Sequence, residues 1–326
     1  MAQSSYLRST FGVGDRTRLR NRTTAQTQTL VAMRLDKRDY KQRQVTDSDS
    51  FTMTKNSDLT CWTTRISKCL RTVAIVFATI PFISSCLSRQ PKEVLFIGNS
   101  LTYYHDMPAM LQEMLREKHS TINIHQKTEP GVSLNDHLTS EKTRKKLNSQ
   151  SWDFVVLQEG TVRALIPEVM QYQLRPTVIK LDSIIRVKGG RTILYESYPI
   201  SKYPAKYCYP SFMISNTLIE KDYCSVELHS SDQEFKIIQN SFSELNNSIN
   251  GDIAFVGTCF ESCKRKFPEL MLFESKEDTH PSKLGSYLIA CVFFRVLTGE
   301  SVNGISYNAG LELNDTKKIK EIVDSN

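Results

Sequence analysis

Two residues far apart in the chain carry the side chains that nucleophilic chemistry at an acyl group requires. Ser100 follows the run Glu93-Val94-Leu95-Phe96-Ile97-Gly98-Asn99. A serine hydroxyl holds its proton near neutral pH and attacks only when a base takes it. His280, on a polar stretch just after Glu277 and Asp278, can be that base. An acid beside it can fix its tautomer and stabilise the imidazolium. Each residue also has an ordinary role: a serine caps helices, and a histidine next to a proline, here Pro281, is commonly a loop residue. His119, His125, His137 and His229 have no comparable setting, and His105, five residues after Ser100, is expected at a pocket rim or in solvent.

The elements around Ser100 would hold it where chemistry is done. Val94 to Ile97 is an unbroken apolar run, which predicts a buried strand of a parallel sheet. After the serine, Met107, Met110, Leu111, Met114 and Leu115 fall on one helical face. The hydroxyl then stands at a strand's carboxyl end, where open α/β sheets bind ligands. The N–H of Ser100 lies near a helix start, where unpaired N–H groups can hold an oxyanion. Further strands are predicted at Thr121–His125, Trp152–Leu157, Thr192–Glu196 and Asp252–Gly257. Helices are predicted at Asn135–Leu147, Glu168–Val187, Gln233–Ile249 and Leu284–Leu297. This alternation predicts a three-layer α/β/α sandwich on a five-stranded parallel sheet, as one domain over 92–326.

Gly98-Asn99-Ser100-Leu101 resembles the first block of the SGNH, or GDSL-type, hydrolases, with Asn for the usual Asp. Glu277-Asp278-Thr279-His280-Pro281-Ser282 resembles their last block, Asp-x-x-His. Between them, Gly131 and Gln158 fall where the two remaining blocks belong. The longer phrases Ile97-Gly98-Asn99-Ser100-Leu101-Thr102 and His280-Pro281-Ser282-x-x-Gly285-Ser286-Tyr287 resemble a bacterial SGNH branch with Gln in the third block. The resemblance covers about residues 92–300 and implies the flavodoxin-like fold of that family.

It also implies roles. The oxyanion would be held by the N–H groups of Ser100 and Gly131 and by the side-chain amide of Gln158. Gln158 ends a predicted strand, as Ser100 nearly does, but is one methylene longer than the family's Asn. The family's acid lies three residues before its histidine, which is Glu277. Asp278 has the family's identity at a different spacing. Glu277 is placed slightly ahead and both are kept. No cofactor is implied, and no metal: Cys259-x-x-x-Cys263 lacks further ligands nearby.

The start of the chain reads differently. Before Cys86 there are 14 Lys and Arg against 6 Asp and no Glu, while the remainder is nearly balanced. The net charge of +7 therefore belongs to the leader, and it gives no reason to expect a nucleic-acid partner. Residues 1–52 have a disorder-like composition or are an over-long gene start, since Met33 and Met53 are alternative starts. Residues 53–85 carry Lys68, Arg71 and a short apolar run from Val73 to Ile83, the pattern of an export signal. Ile83-Ser84-Ser85-Cys86 resembles a lipobox, which makes Cys86 the lipidated residue and 86–91 a tether. The expected location is the bacterial cell envelope, anchored to the membrane by lipid. Among the remaining cysteines, Cys208 with Cys224 and Cys259 with Cys263 can pair, and Cys291 is expected as a buried thiol.

The expected protein is thus a monomeric serine esterase acting on O-acyl, above all O-acetyl, esters of small molecules or glycans. A non-catalytic glycan-binding module of the same fold and an O-acyltransferase stand as alternatives. Tyr198, Tyr203, Tyr207 and Tyr209, in the long segment 198–229, can stack on such a ligand or pack that segment onto the body.

Overall fold

The structure, a computed structural model, describes residues 90–326. The expectations for 1–52, 53–85, Cys86 and all but the end of the 86–91 tether lie outside these residues.

Strand β1 (Lys92–Gly98) leads to a short helix α1 (Ser100–Tyr103) and then to α2 (Met107–Glu117). Then come β2 (Ile122–Thr128), α3 (Leu134–Thr139), α4 (Glu141–Asn148) and β3 (Phe154–Gln158). Helices α5 (Thr161–Leu165), α6 (Pro167–Val169) and α7 (Arg175–Val187) follow, with a π-helical turn over Met170–Leu174 before α7. After β4 (Arg191–Tyr195), strands β5 (Cys208–Pro210) and β6 (Asp222–Cys224) form a small antiparallel hairpin. The chain closes with α8 (Ser231–Ile249), β7 (Asp252–Ala254), α9 (Val256–Lys266), α10 (Lys283–Thr298) and α11 (Leu313–Ser325).

Five parallel strands lie in the order β2-β1-β3-β4-β7. This is the expected three-layer α/β/α sandwich. Its two faces can be read along β1, because side chains alternate along a strand. Val94 and Phe96 join the core made with α2, α9, α10 and α11. Leu95 and Ile97 join the core made with α3, α4, α7 and α8. All four are fully buried, and each side chain contributes roughly 1.5–3 kcal/mol of hydrophobic stabilisation. Helix α10 is apolar on almost every side and almost wholly buried. The chain leaves β1 in one direction along the sheet and β3 in the other, so the crevice between their carboxyl ends is the sheet's switch point, where ligands bind in such folds.

Several predicted elements differ. The helix predicted over 135–147 is two helices, because extended Ser140 ends α3 and its hydroxyl caps α4. The predicted fifth strand stops at Ala254, and Val256 and Gly257 already belong to α9. Helices α5, α9 and α11 were not anticipated. The Cys208–Cys224 disulfide is formed. Cys259 and Cys263 are not paired: they sit one turn apart on α9 as separate buried thiols, pushed by burial up to about 12.

Candidate active site

Gly98 ends β1 in a space that admits no side chain: an added Cβ would lie 2.4 Å from Gln158 Oε1 and 2.9 Å from Thr102 Oγ1. Its carbonyl accepts from His137 Nε2 at 2.8 Å and from the Glu129 N–H at 3.2 Å. His137 is 2% exposed and braced by Thr143. Burial pushes its pKa down, so it stays a neutral strut under the turn.

Asn99 caps α1 by accepting the Leu101 N–H at 3.2 Å. Its Nδ2 donates to the Val132 carbonyl at 3.1 Å, a bond that a carboxylate could not make. Asn99 thus ties the Ser100 turn to the Gly131–Val132 turn. The N–H of Ser100, first of its helix, finds no acceptor among the described residues, as expected at a helix start. The Gly131 N–H also has no acceptor among them. Gly131 adopts φ +67°, which suits glycine, and nothing crowds its Cα.

Ser100 Oγ lies 2.9 Å from His280 Nε2, across 180 residues of sequence. His280 Nδ1 lies 2.6 Å from Asp278 Oδ1. The same carboxylate oxygen accepts the backbone N–H of His280 at 2.9 Å. That bond, first, and then the imidazole hold the Asp278 carboxyl below the usual carboxylate range. Glu277, which the family spacing favoured, is corrected here. Its side chain is 77% exposed and its nearest charged partner is Lys202, at 3.9 Å.

The imidazole is held from other sides too. The Tyr104 ring stacks on it at 4.0 Å between centroids and 7° between planes. The loop before it is pinned by the Glu274 N–H to the His280 carbonyl, 3.1 Å, and by the Ser282 N–H to the Leu272 carbonyl, 2.9 Å. His105, expected at the rim, contacts the Glu274 side chain and so links the Ser100 turn to the His280 loop. Neither Tyr104 nor this use of His105 had a sequence signal.

The Gln158 amide does not reach the cleft. Gln158 is 2% exposed. Its Oε1 accepts the Asn99 N–H at 2.8 Å and the Thr102 hydroxyl at 3.0 Å. Its Nε2 is buried and unpaired among the described residues. The extra methylene folds the amide beneath the turn, where it braces Ser100 from below. Of the four tyrosines considered as ligand platforms, Tyr198 is buried against Phe260 and Tyr203 donates to Glu234 at 2.7 Å. Tyr207 packs the long segment onto the body. Tyr209 lines the cleft.

That cleft measures about 250 Å³ and is bounded by Ser100, His280, Asn99, Gly131, Arg163 and Tyr209, among others. Beneath it lies Glu159, whose carboxylate accepts the N–H groups of Leu134 (2.9 Å) and Gly160 (2.8 Å). Burial pushes its pKa up to about 7. Among the described residues, no cluster of His, Cys, Asp and Glu could hold a metal ion, and no helix is long and apolar enough to cross a membrane.

No protein-family model and no curated protein matches the chain. Solved structures do. A DUF4886 family protein from Bacteroides uniformis is similar at 16% identity and a TM-score of 0.57, covering 72% of this chain and 94% of its own. A protein from Slackia heliotrinireducens, itself only provisionally assigned as an SGNH hydrolase, is 22% identical over 64% of this chain and all of its own, at a TM-score of 0.48. AlAXEase, an acetyl xylan esterase, is 15% identical over 63% of this chain and 99% of its own, at 0.45. The likeness to the Bacteroides protein is one of fold.

Proposed function

We propose that the chain is a serine hydrolase of ester bonds that works through an acyl-enzyme on Ser100. The observation that carries this reading is the continuous line Ser100 Oγ, His280 Nε2, His280 Nδ1, Asp278 Oδ1. It opens on a cleft beside two N–H groups that have no acceptor among the described residues. Ionised Asp278 accepts a hydrogen bond from Nδ1–H, which keeps that proton on Nδ1 and leaves Nε2 as the lone-pair nitrogen facing the serine. As Ser100 Oγ attacks the ester carbonyl, its proton passes to Nε2. The N–H groups of Ser100 and Gly131 stabilise the oxyanion, each typically by roughly 3 kcal/mol. His280 then gives the proton to the leaving alcohol, and in the second half it draws one from water.

The finer reading is an O-acetyl or other short O-acyl ester, on a carbohydrate, in the cell envelope. Its support is the cleft's small volume and the lipobox-like Cys86. The test is hydrolysis of 4-nitrophenyl acetate by the purified chain, with labelling of its nucleophile by a fluorophosphonate. Release of nitrophenol, loss of it in Ser100→Ala, and a label mapped to Ser100 are expected. A label at another residue would remove the assignment.

A further inference from the structure

The guanidinium of Arg163, on α5, lines the same cleft as Ser100 and His280. Its side chain is only 16% exposed. A cation so deeply placed ordinarily has its donors matched. Here one N–H group has a partner among the described residues, Gln173 Oε1. Gln173 is itself fixed through its Nε2 to the Met213 carbonyl at 2.7 Å. The Tyr209 ring, 5.1 Å from the guanidinium carbon, covers one face of the fork. Two acids neighbour it: Glu159 Oε1 is 3.8 Å from Arg163 Nε, beyond a hydrogen bond, and Asp136 feels its charge but is committed to the Ser133 N–H and hydroxyl. Both Glu159 oxygens are committed to the backbone N–H groups of Leu134 and Gly160. A carboxyl titrating near 7 is also an incomplete counter-charge at neutral pH.

The arrangement is a fork stiffened on one edge by Gln173 and on one face by Tyr209, with its remaining donors unmatched. A planar guanidinium held this way suits a carboxylate, which can take two parallel N–H bonds, better than it suits a neutral hydroxyl. We infer that Arg163 binds a carboxylate carried by the ester substrate, so that the preferred substrates are acid esters rather than neutral ones. The inference rests on the esterase reading for its chemistry but not for its binding. The carboxylate can belong to the alcohol, as in an O-acetylated uronic acid, or to the far end of the acyl group, as in a dicarboxylic monoester.

Two matched pairs separate these sources. One is O-acetylated methyl glucuronoside against O-acetylated methyl glucoside, followed by acetate release. The other is monomethyl adipate against methyl hexanoate, followed by methanol release. In the full chain, kcat/KM for the charged member of one pair should exceed that of its neutral partner by at least about tenfold, the usual worth of one good charged contact. The pair showing the preference identifies the source. Arg163→Gln should bring the ratio close to one, and Arg163→Lys, which keeps charge without the fork, should keep only part of it. Thermal melting of each variant checks that it folds. Preference for the neutral member in both pairs, or a ratio unchanged in Arg163→Gln, overturns the inference. If no ester is turned over, the esterase reading fails separately. Calorimetric binding of methyl glucuronoside and adipate then decides, with Arg163-dependent binding supporting the inference and none overturning it.

Discussion

Asp278 and His280 are joined twice, once through the imidazole Nδ1 at 2.6 Å and once through the histidine's own backbone N–H at 2.9 Å, both to Asp278 Oδ1. The second bond is an Asx turn, in which a short carboxylate captures the N–H two residues on. It needs the i to i+2 spacing and the short side chain of Asp. Glu277 has neither, which is why the acid beside His280 is Asp278 and not the residue at the expected spacing.

Asp278→Asn should therefore lower kcat/KM on an acetyl ester by about 100-fold or more, because the amide cannot stabilise the imidazolium. Glu277→Gln should stay within about twofold, as expected of a side chain in solvent. Steady-state kinetics on both variants checks this, and equal losses would remove the distinction between the two acids.

Gln158 should act on stability. Gln158→Ala removes the acceptor for the Asn99 N–H and the Thr102 hydroxyl inside the protein. Leaving such donors unpaired costs roughly 1–3 kcal/mol, to be read as a shift in the urea midpoint. Gly98→Ala should be destabilising for the complementary reason, since its Cβ would drive into the same Gln158 oxygen. A Gln158→Ala protein of native stability with abolished turnover would restore the oxyanion role expected from the sequence.

The sheet and its order of elements were legible because buried parallel strands read as apolar runs, as in Val94–Ile97 and Val155–Leu157. Ser100 and His280 were legible because both sit at element boundaries inside recognisable phrases. Helices α5 and α9 were hidden for a physical reason. Helix α5 is one short piece after a glycine, and α9 continues directly from an apolar strand, so the pattern does not mark the change. The bracing around the site was hidden as well. Tyr104 over His280, and Arg163 between Gln173 and Tyr209, are contacts across separations from 10 residues (Arg163 to Gln173) upward and between different elements, which local periodicity does not encode.

The Cys208–Cys224 disulfide closes a hairpin of two three-residue strands, and a hairpin that small is marginal alone. The cross-link contributes about 3 kcal/mol through loop entropy, but the segment can open without unfolding the sheet. In the Cys208→Ser/Cys224→Ser double variant, amides of 208–224 should exchange with solvent at least about tenfold faster, with β1 and β3 unchanged. KM should rise, because Tyr209 is then held less firmly in the cleft wall. Uniformly faster exchange across the sheet would show instead that the hairpin is integral to the whole domain.

Glu159 makes stability depend on pH in a definite direction. Burial is the main cause of its rise from 4.5 to about 7, opposed by Arg163 and by the two backbone N–H groups it accepts. Between these values the folded chain holds a proton at Glu159 that the unfolded chain has released, so stability falls as pH rises from about 4.5 to 7 and then levels off. The loss is on the order of 3 kcal/mol. Urea unfolding at several pH values should show this slope in the native chain and a flatter one in Glu159→Gln, whatever the variant's absolute stability. Arg163→Gln removes the opposing positive charge, so the Glu159 pKa should climb further and the fall should extend above pH 7. If Glu159→Gln keeps the native slope, or Arg163→Gln moves the transition to lower pH, then Glu159 does not titrate as the buried neighbour of an under-compensated Arg163.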